Sequence, residues 1–260
     1  MTYWMGFSEP VRMESELIMK YSHVALSCDS RPVVYCDFDG TIALGDVTDV
    51  ILSRLADKRW LDIESEWETG KITSKECMTR QVALISGGWD AIKNILEEIR
   101  LDPTFATFAS WCSESGIPLM VVSDGLDKVI EHLLWRDEIP VDGVWANHLN
   151  CEEGRVSLTH PAMSGRACES GVCKCRVMAE TSNASMCRVV IGDGKSDYCW
   201  AQKADLVFAK SKLLDFCFSE GIQCHSFHDF DEIRQTLEKK FFGHHVLAES
   251  YQVGQMSYAV

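Results

Sequence analysis

The sequence predicts an α/β protein, a parallel sheet flanked by helices with a small helical insertion, and three short apolar runs carry that expectation. Residues 33–36, 118–122 and 189–191 are almost continuously hydrophobic, and each stops at a polar, glycine-bearing turn: Asp37-Phe38-Asp39-Gly40-Thr41, Ser123-Asp124-Gly125 and Gly192-Asp193-Gly194-Lys195-Ser196-Asp197. A short run that is apolar at successive positions reads as a strand buried on both faces. In open α/β sheets ligands gather at the carboxyl ends of such strands, so the acids and the hydroxyl that end these runs would share one edge. Asp37 and Asp39, two apart, would also share a face if the strand geometry persists that far. Taken alone, D-x-D-G reads as simple turn punctuation, and what changes that reading lies downstream.

Residues 1–31 read as an N-terminal extension, with a weakly helical run at 13–21 and a polar turn at 27–31. After Thr41 the pattern changes to helical spacing: Val47, Val50, Ile51 and Leu55, continued by Trp60, Ile63 and Trp67 until Gly70 breaks it. A helix over 74–85 has a cap at Thr73 or Ser74, and an amphipathic helix over 89–99 follows. Asp102-Pro103 closes this all-helical block. A helix over 104–115 then leads through Gly116 into the second strand, and another covers 129–135. Segments 143–149 and 156–160 flank Glu152-Glu153-Gly154 as a hairpin, and 161–173 is a loop. The third strand runs into a helix through Ala201, short strands at 206–209 and 224–227 complete the sheet, and 244–260 is a loose tail.

With 260 residues, 46% of them hydrophobic, the chain can bury one core plus a sizeable insertion. Its formal charge of −14 argues against nucleic acid or an anionic membrane surface as partner. Twelve cysteines with no recognisable signal peptide, and no run of transmembrane length, point to a soluble protein of the reducing cytoplasm, monomeric or homodimeric.

In order, D-F-D-G-T, V-V-S-D-G, a lysine at Lys174 and G-D-G-x-S-D resemble the four motifs of the haloacid dehalogenase (HAD) superfamily of phosphatases, over residues 32–234. The resemblance implies a Rossmann-like HAD core of residues 32–42 and 103–243 and a helical C1-type cap of residues 43–102, as in phosphatases similar to phosphoserine phosphatase, subfamily IB. It implies Asp37 as nucleophile and Asp39 as acid and base. Asp37, Asp39, Asp193 and Asp197 would make an all-oxygen Mg²⁺ site, with Asp39 contributing its carbonyl and Asp197 supporting the shell. Phe38, Ser123, Gly125 and Lys174 would hold the phosphoryl oxygens, with Lys195 as the rival to Lys174.

Asp46, nine residues after Asp37, falls where phosphoserine phosphatases place a substrate-binding Glu, and Arg80 lies in the cap segment that faces their site. The competing reading makes Arg80 an exposed helix residue paired with Glu76. The implied substrate is a small phosphorylated metabolite. Phosphoserine phosphatases have an Arg where this chain has Gln81. The methionine-salvage phosphatases of 2-hydroxy-3-keto-5-methylthiopentenyl 1-phosphate are more similar, with an Asp matching Asp46, an Arg matching Arg80 and cysteines just before the lysine. Their phosphate motif often reads S-G-G where this chain has Ser123-Asp124-Gly125. Phosphoethanolamine or phosphocholine hydrolysis, or phosphometabolite binding without catalysis, are the alternatives. Cys151, Cys168, Cys173 and Cys175 lack paired C-x-x-C spacing and read as a zinc site, a redox pair or buried thiols.

Overall fold

The computed structural model describes residues 30–162, 168 and 170–243, so the helical run at 13–21, most of the turn after it and the tail at 244–260 lie outside the described residues. Its centre is a seven-stranded sheet of order β4-β3-β2-β1-β5-β6-β7. The strands are β1 (Arg31–Cys36), β2 (Leu119–Leu126), β3 (Gly143–Glu152), β4 (Arg155–Thr159), β5 (Met186–Gly192), β6 (Leu206–Ala209) and β7 (His225–Ser226). β4 alone runs antiparallel.

β1 is apolar at successive positions because it has helices on both sides. Val34 and Cys36 enter one core with Phe105, Phe108, Leu133 and Phe230, while Val33 and Tyr35 enter a second with Val177, Trp200 and Leu213. The first core packs α5 (Phe105–Glu114), α6 (Asp127–Arg136) and α10 (Phe230–Phe241) on the sheet; the second packs α7 (Lys174–Thr181), α8 (Tyr198–Ala201) and α9 (Ser211–Glu220). Alternation along the strand assigns successive residues to opposite cores, and fully burying each such side chain contributes about 1.5–3 kcal/mol.

Between β1 and β2 the chain makes four short helices, α1 (Val47–Leu55), α2 (Trp60–Glu68), α3 (Ser74–Val82) and α4 (Gly88–Leu96). It leaves and returns through adjacent segments: Ala43 and Leu101 form an antiparallel bridge, Leu44 N donates to Arg100 O at 3.1 Å and Asp102 N to Ile42 O at 2.7 Å. The single helical pattern expected from Val47 to Trp67 is two helices. Asp57 interrupts it, its carboxylate accepting from Arg59 N at 3.0 Å in a local turn that competes with helix continuation. Thr73 is the cap of α3, accepting from Glu76 N at 3.2 Å, and α3 and α4 both end three residues earlier than their apolar periodicity reaches.

The hairpin forms as expected, turning at Glu153 and Gly154, both with positive φ, the geometry that suits tight two-residue hairpins. β3 serves two partners: Gly143, Val144 and Trp145 pair parallel with β2, and residues 148–152 pair antiparallel with β4. Among the described residues, no helix is long and apolar enough to cross a membrane.

Candidate active site

The carboxyl ends of β1, β2 and β5 meet at one edge. Asp37 follows β1 directly, its amide tied to Ile191 O at 2.9 Å, and it is 4% exposed. Its Oδ1 accepts from Phe38 N at 2.8 Å. The chain then coils tightly, the Phe38 carbonyl accepting from Thr41, Ile42 and Ala43. Gly40 permits this turn with φ +71°; a Cβ there would lie 2.6 Å from Asp193 Oδ2. Thr41 Oγ1 donates to Asp193 Oδ1 at 3.3 Å. Asp39 Oδ1 accepts from Val47 N, the first amide of α1, at 2.8 Å, while Asp46 caps that helix by accepting from Asp49 N at 2.9 Å.

From β2, the buried Ser123 Oγ accepts from Gly125 N at 2.9 Å. A Cβ on Gly125 would sit 2.8 Å from Asp39 Oδ2, so glycine keeps the space between the two motifs open. Lys174 is the first residue of α7 and is 1% exposed. Its Nζ lies 2.6 Å from Asp37 Oδ1 and 2.7 Å from Asp197 Oδ1, and 5.0 Å from the Trp200 ring centroid. Asp197 uses its other oxygen to accept from Asp193 N and Gly194 N at 3.1 and 3.0 Å. Lys195, the rival lysine, is exposed.

The edge is crowded with acid. Desolvation and the nearby Asp197 charge raise the Asp37 carboxyl well above the carboxylate range, against the pull of Lys174. Desolvation and Asp46 push Asp39 up to about 8, and desolvation with Asp197 raises Asp193. Burial lowers the Lys174 pKa, but Asp197 and Asp37 outweigh it and the net shift is upward, so the ammonium stays charged.

Oxygens of Asp37, Asp193 and Asp197 all lie within 4.8 Å of one another. A purely oxygen donor set with excess negative charge fits a hard divalent cation such as Mg²⁺. Because both Asp197 oxygens are already engaged, Asp37 and Asp193 are the side chains best placed to ligate, with Asp197 fixing the loop behind them.

Asp46 and Arg80 have protein partners of their own. Asp46 acts as a helix cap, and its charge reaches the cluster through Asp39. Arg80 Nη1 pairs with Glu66 at 2.7 Å and with Glu76 at 3.5 Å, bracing α2 against α3. Gln81 is buried, its amide donating to Glu64 Oε2 at 2.7 Å and Trp60 O at 3.3 Å.

Sequence reading missed Trp200 and Asp124. Asp124 accepts from Ser74 Oγ of α3 at 3.0 Å and from Val172 N, two residues before Lys174, at 2.8 Å. A chain of contacts continues through Asn147, whose Nδ2 donates to Asp124 O, to His160 at 2.6 Å and on to Thr79 of α3 at 2.8 Å. The available signal was the acid standing between Ser123 and Gly125. Trp200 had none, since an aromatic in an amphipathic helix looks like any core residue. Cys151, expected with the cysteines near Lys174, pairs with Val156 in the hairpin, because the antiparallel ladder carries it away from them; Cys168, Cys173 and Cys175 do cluster.

A mostly parallel sheet covered by helices on both faces, with buried acids gathered at the carboxyl ends of its central strands, is the architecture of α/β proteins that place their ligand site at that edge. Residues 34–202 match the haloacid dehalogenase-like hydrolases, and the chain belongs to that family. The 2-hydroxy-3-keto-5-methylthiopentenyl-1-phosphate phosphatase of Brevibacillus brevis is 31% identical over 217 residues, covering 80% of this chain and 97% of that protein. The corresponding phosphatase of Bacillus velezensis is 26% identical, over 80% of this chain and 90% of that protein. Among solved structures, a HAD family hydrolase from Salmonella enterica serovar Typhi superposes with a TM-score of 0.67 at 18% identity, covering 89% of this chain and 79% of the other. A phospho-aspartyl intermediate analogue of phosphoserine phosphatase superposes with a TM-score of 0.59 at 20% identity, covering 80% and 99%. These structural likenesses speak to the fold.

Proposed function

We propose that the chain is a Mg²⁺-dependent phosphomonoesterase that works through an aspartyl-phosphate on Asp37, and that its substrate is 2-hydroxy-3-keto-5-methylthiopentenyl 1-phosphate. The observation that carries the reaction class is the buried Asp37 at the end of the central strand, in contact with Lys174 and followed two residues later by Asp39, whose carboxyl desolvation and Asp46 push up to about 8. An Asp37 oxygen attacks phosphorus while Asp39 delivers its proton to the departing ester oxygen; Asp39 then takes a proton from the water that hydrolyses the acyl phosphate. Lys174, the Ser123 hydroxyl and the amides of Phe38 and Gly125 hold the non-bridging oxygens. Asp37 and Asp193, with the Asp39 carbonyl, would hold Mg²⁺, which would supply the positive charge that lets a carboxylate approach a phosphate anion.

The choice of substrate rests on relatives covered over nine-tenths or more of their own length. Gln81 supports it over phosphoserine: the position that would need a substrate-facing Arg is a buried amide engaged with Glu64 and Trp60. The test is release of phosphate from p-nitrophenyl phosphate with and without Mg²⁺, followed by a panel of the salvage intermediate, phosphoserine, phosphoethanolamine and phosphocholine. Metal-dependent turnover with highest kcat/KM on the salvage intermediate is expected. No metal-dependent turnover by folded protein would remove the enzyme reading, and preference for another ester would replace the substrate.

A further inference from the structure

The cysteines beside Lys174 take no part in phosphoryl transfer, yet they are arranged around a common point. Cys168, Cys173 and Cys175 hold their sulfurs within 4.8 Å of one another, with Cys168 Sγ to Cys175 Sγ at 3.8 Å and Cys173 Sγ to Cys175 Sγ at 3.5 Å. A tetrahedral zinc with Zn–S bonds of about 2.3 Å places its sulfurs about 3.8 Å apart, whereas a disulfide would need about 2.05 Å. Cys199, the second residue of α8, stands beside this trio without being one of the three sulfurs mutually within 4.8 Å, its side chain interacting with Cys175 and Cys168. Lys203 Nζ donates to Cys175 Sγ at 3.3 Å, the kind of supporting cation that offsets the negative charge of several thiolates on one ion.

We propose that Cys168, Cys173, Cys175 and Cys199 bind one structural Zn²⁺, each thiol giving up its proton as the ion enters. Four sulfur donors select a thiophilic cation and reject Mg²⁺, so this site and the carboxylate site sort their metals by donor softness. The ion has a definite mechanical consequence. Cys173 and Cys175 flank Lys174, and Cys199 lies two residues beyond Asp197, the acid that Lys174 contacts at 2.7 Å. One zinc therefore ties the start of α7 to α8 and fixes the spacing of the buried Lys174–Asp197 pair. The arrangement was hard to see in sequence because the spacing is C-x4-C-x-C followed by a distant Cys199, and Cys151 stood in its place as the apparent fourth member.

The test is the metal content of full-length protein purified without a polyhistidine tag, measured by plasma mass spectrometry, with Co²⁺ exchange as the spectroscopic probe. About one zinc per chain is expected, together with the sulfur-to-cobalt charge-transfer absorption of a tetrahedral thiolate site after exchange. Cys175→Ser and Cys199→Ser should each lose most of the bound zinc, while Cys151→Ser retains it. Absence of zinc after growth in zinc-supplemented medium and no thiolate band with Co²⁺ would overturn the proposal, as would unchanged zinc content in Cys175→Ser. These readouts need no turnover, so an inactive phosphatase and an empty cysteine site are separate results.

Discussion

At Asp37, charge and chemistry pull in different directions. Its carboxylate is desolvated and faces Asp197, so replacing it by the isosteric amide removes a repulsion as well as the proposed nucleophile. Asp37→Asn is therefore expected to lower turnover of p-nitrophenyl phosphate by at least about a thousandfold, with an unchanged or raised Tm; activity like that of the wild type would exclude Asp37 as nucleophile. Lys174 behaves in the opposite way. Lys174→Met strands Asp37 and Asp197 without their shared cation and should cost about 3 to 5 kcal/mol in urea unfolding, since removing one partner leaves buried charge uncompensated. The same variant also loses the ammonium that would hold phosphoryl oxygens, so both stability and turnover fall.

At the scale of elements, Asp124 joins the helical segment to the acid-bearing sheet edge through Ser74 and ties that edge to the segment leading to Lys174 through Val172 N. Asp124→Ala removes the acceptor for Ser74 on α3 and for the amide of Val172, at an expected cost of about 1 to 3 kcal/mol. Hydrogen exchange should quicken in α3 and in the segment leading to Lys174, and unchanged protection there would show that apolar packing alone seats α3. Arg80 belongs to a different joint. Its partners Glu66 and Glu76 are partly exposed, so the contacts favour a brace between α2 and α3 over a substrate contact. Arg80→Ala is expected to change turnover of p-nitrophenyl phosphate and of the salvage intermediate in the same proportion. A selective loss on the larger substrate would place Arg80 in the pocket.

For the whole molecule, the excess of acid at one sheet edge couples stability to pH and metal. A carboxyl whose folded-state pKa is raised contributes stability below its unfolded value, and that contribution disappears as pH climbs through the folded value. Asp39, raised to about 8, therefore weakens the metal-free fold between about pH 4 and pH 8, and Asp37 and Asp193, raised in the same direction, add losses of the same sign as pH climbs. Mg²⁺ acts against this loss by binding the ionised carboxylates. The increment in Tm on adding millimolar Mg²⁺ should consequently be small at pH 5 and larger at pH 8. An increment independent of pH, or one kept by Asp193→Asn, would move the cation away from this edge.

Much of this architecture is local information. Three apolar strands ending in Asp, Ser and Gly are legible because a strand covered on both faces must be apolar at successive positions, and the ordered motifs mark the acids that the fold gathers at one sheet edge. What required the tertiary structure were the contacts between segments distant in sequence: Lys174 rather than Lys195 buried between Asp37 and Asp197, Asp124 bridging α3 to the Lys174 loop, and Cys199 interacting with the cysteines beside Lys174. Asp46 and Arg80 show the limit most directly, since a spacing can place an acid or an arginine near a cap but not say whether it turns to a substrate, to the end of its own helix or to a neighbouring glutamate. Those choices are energetic comparisons among partners brought together only by folding, and periodicity along the chain carries no record of them.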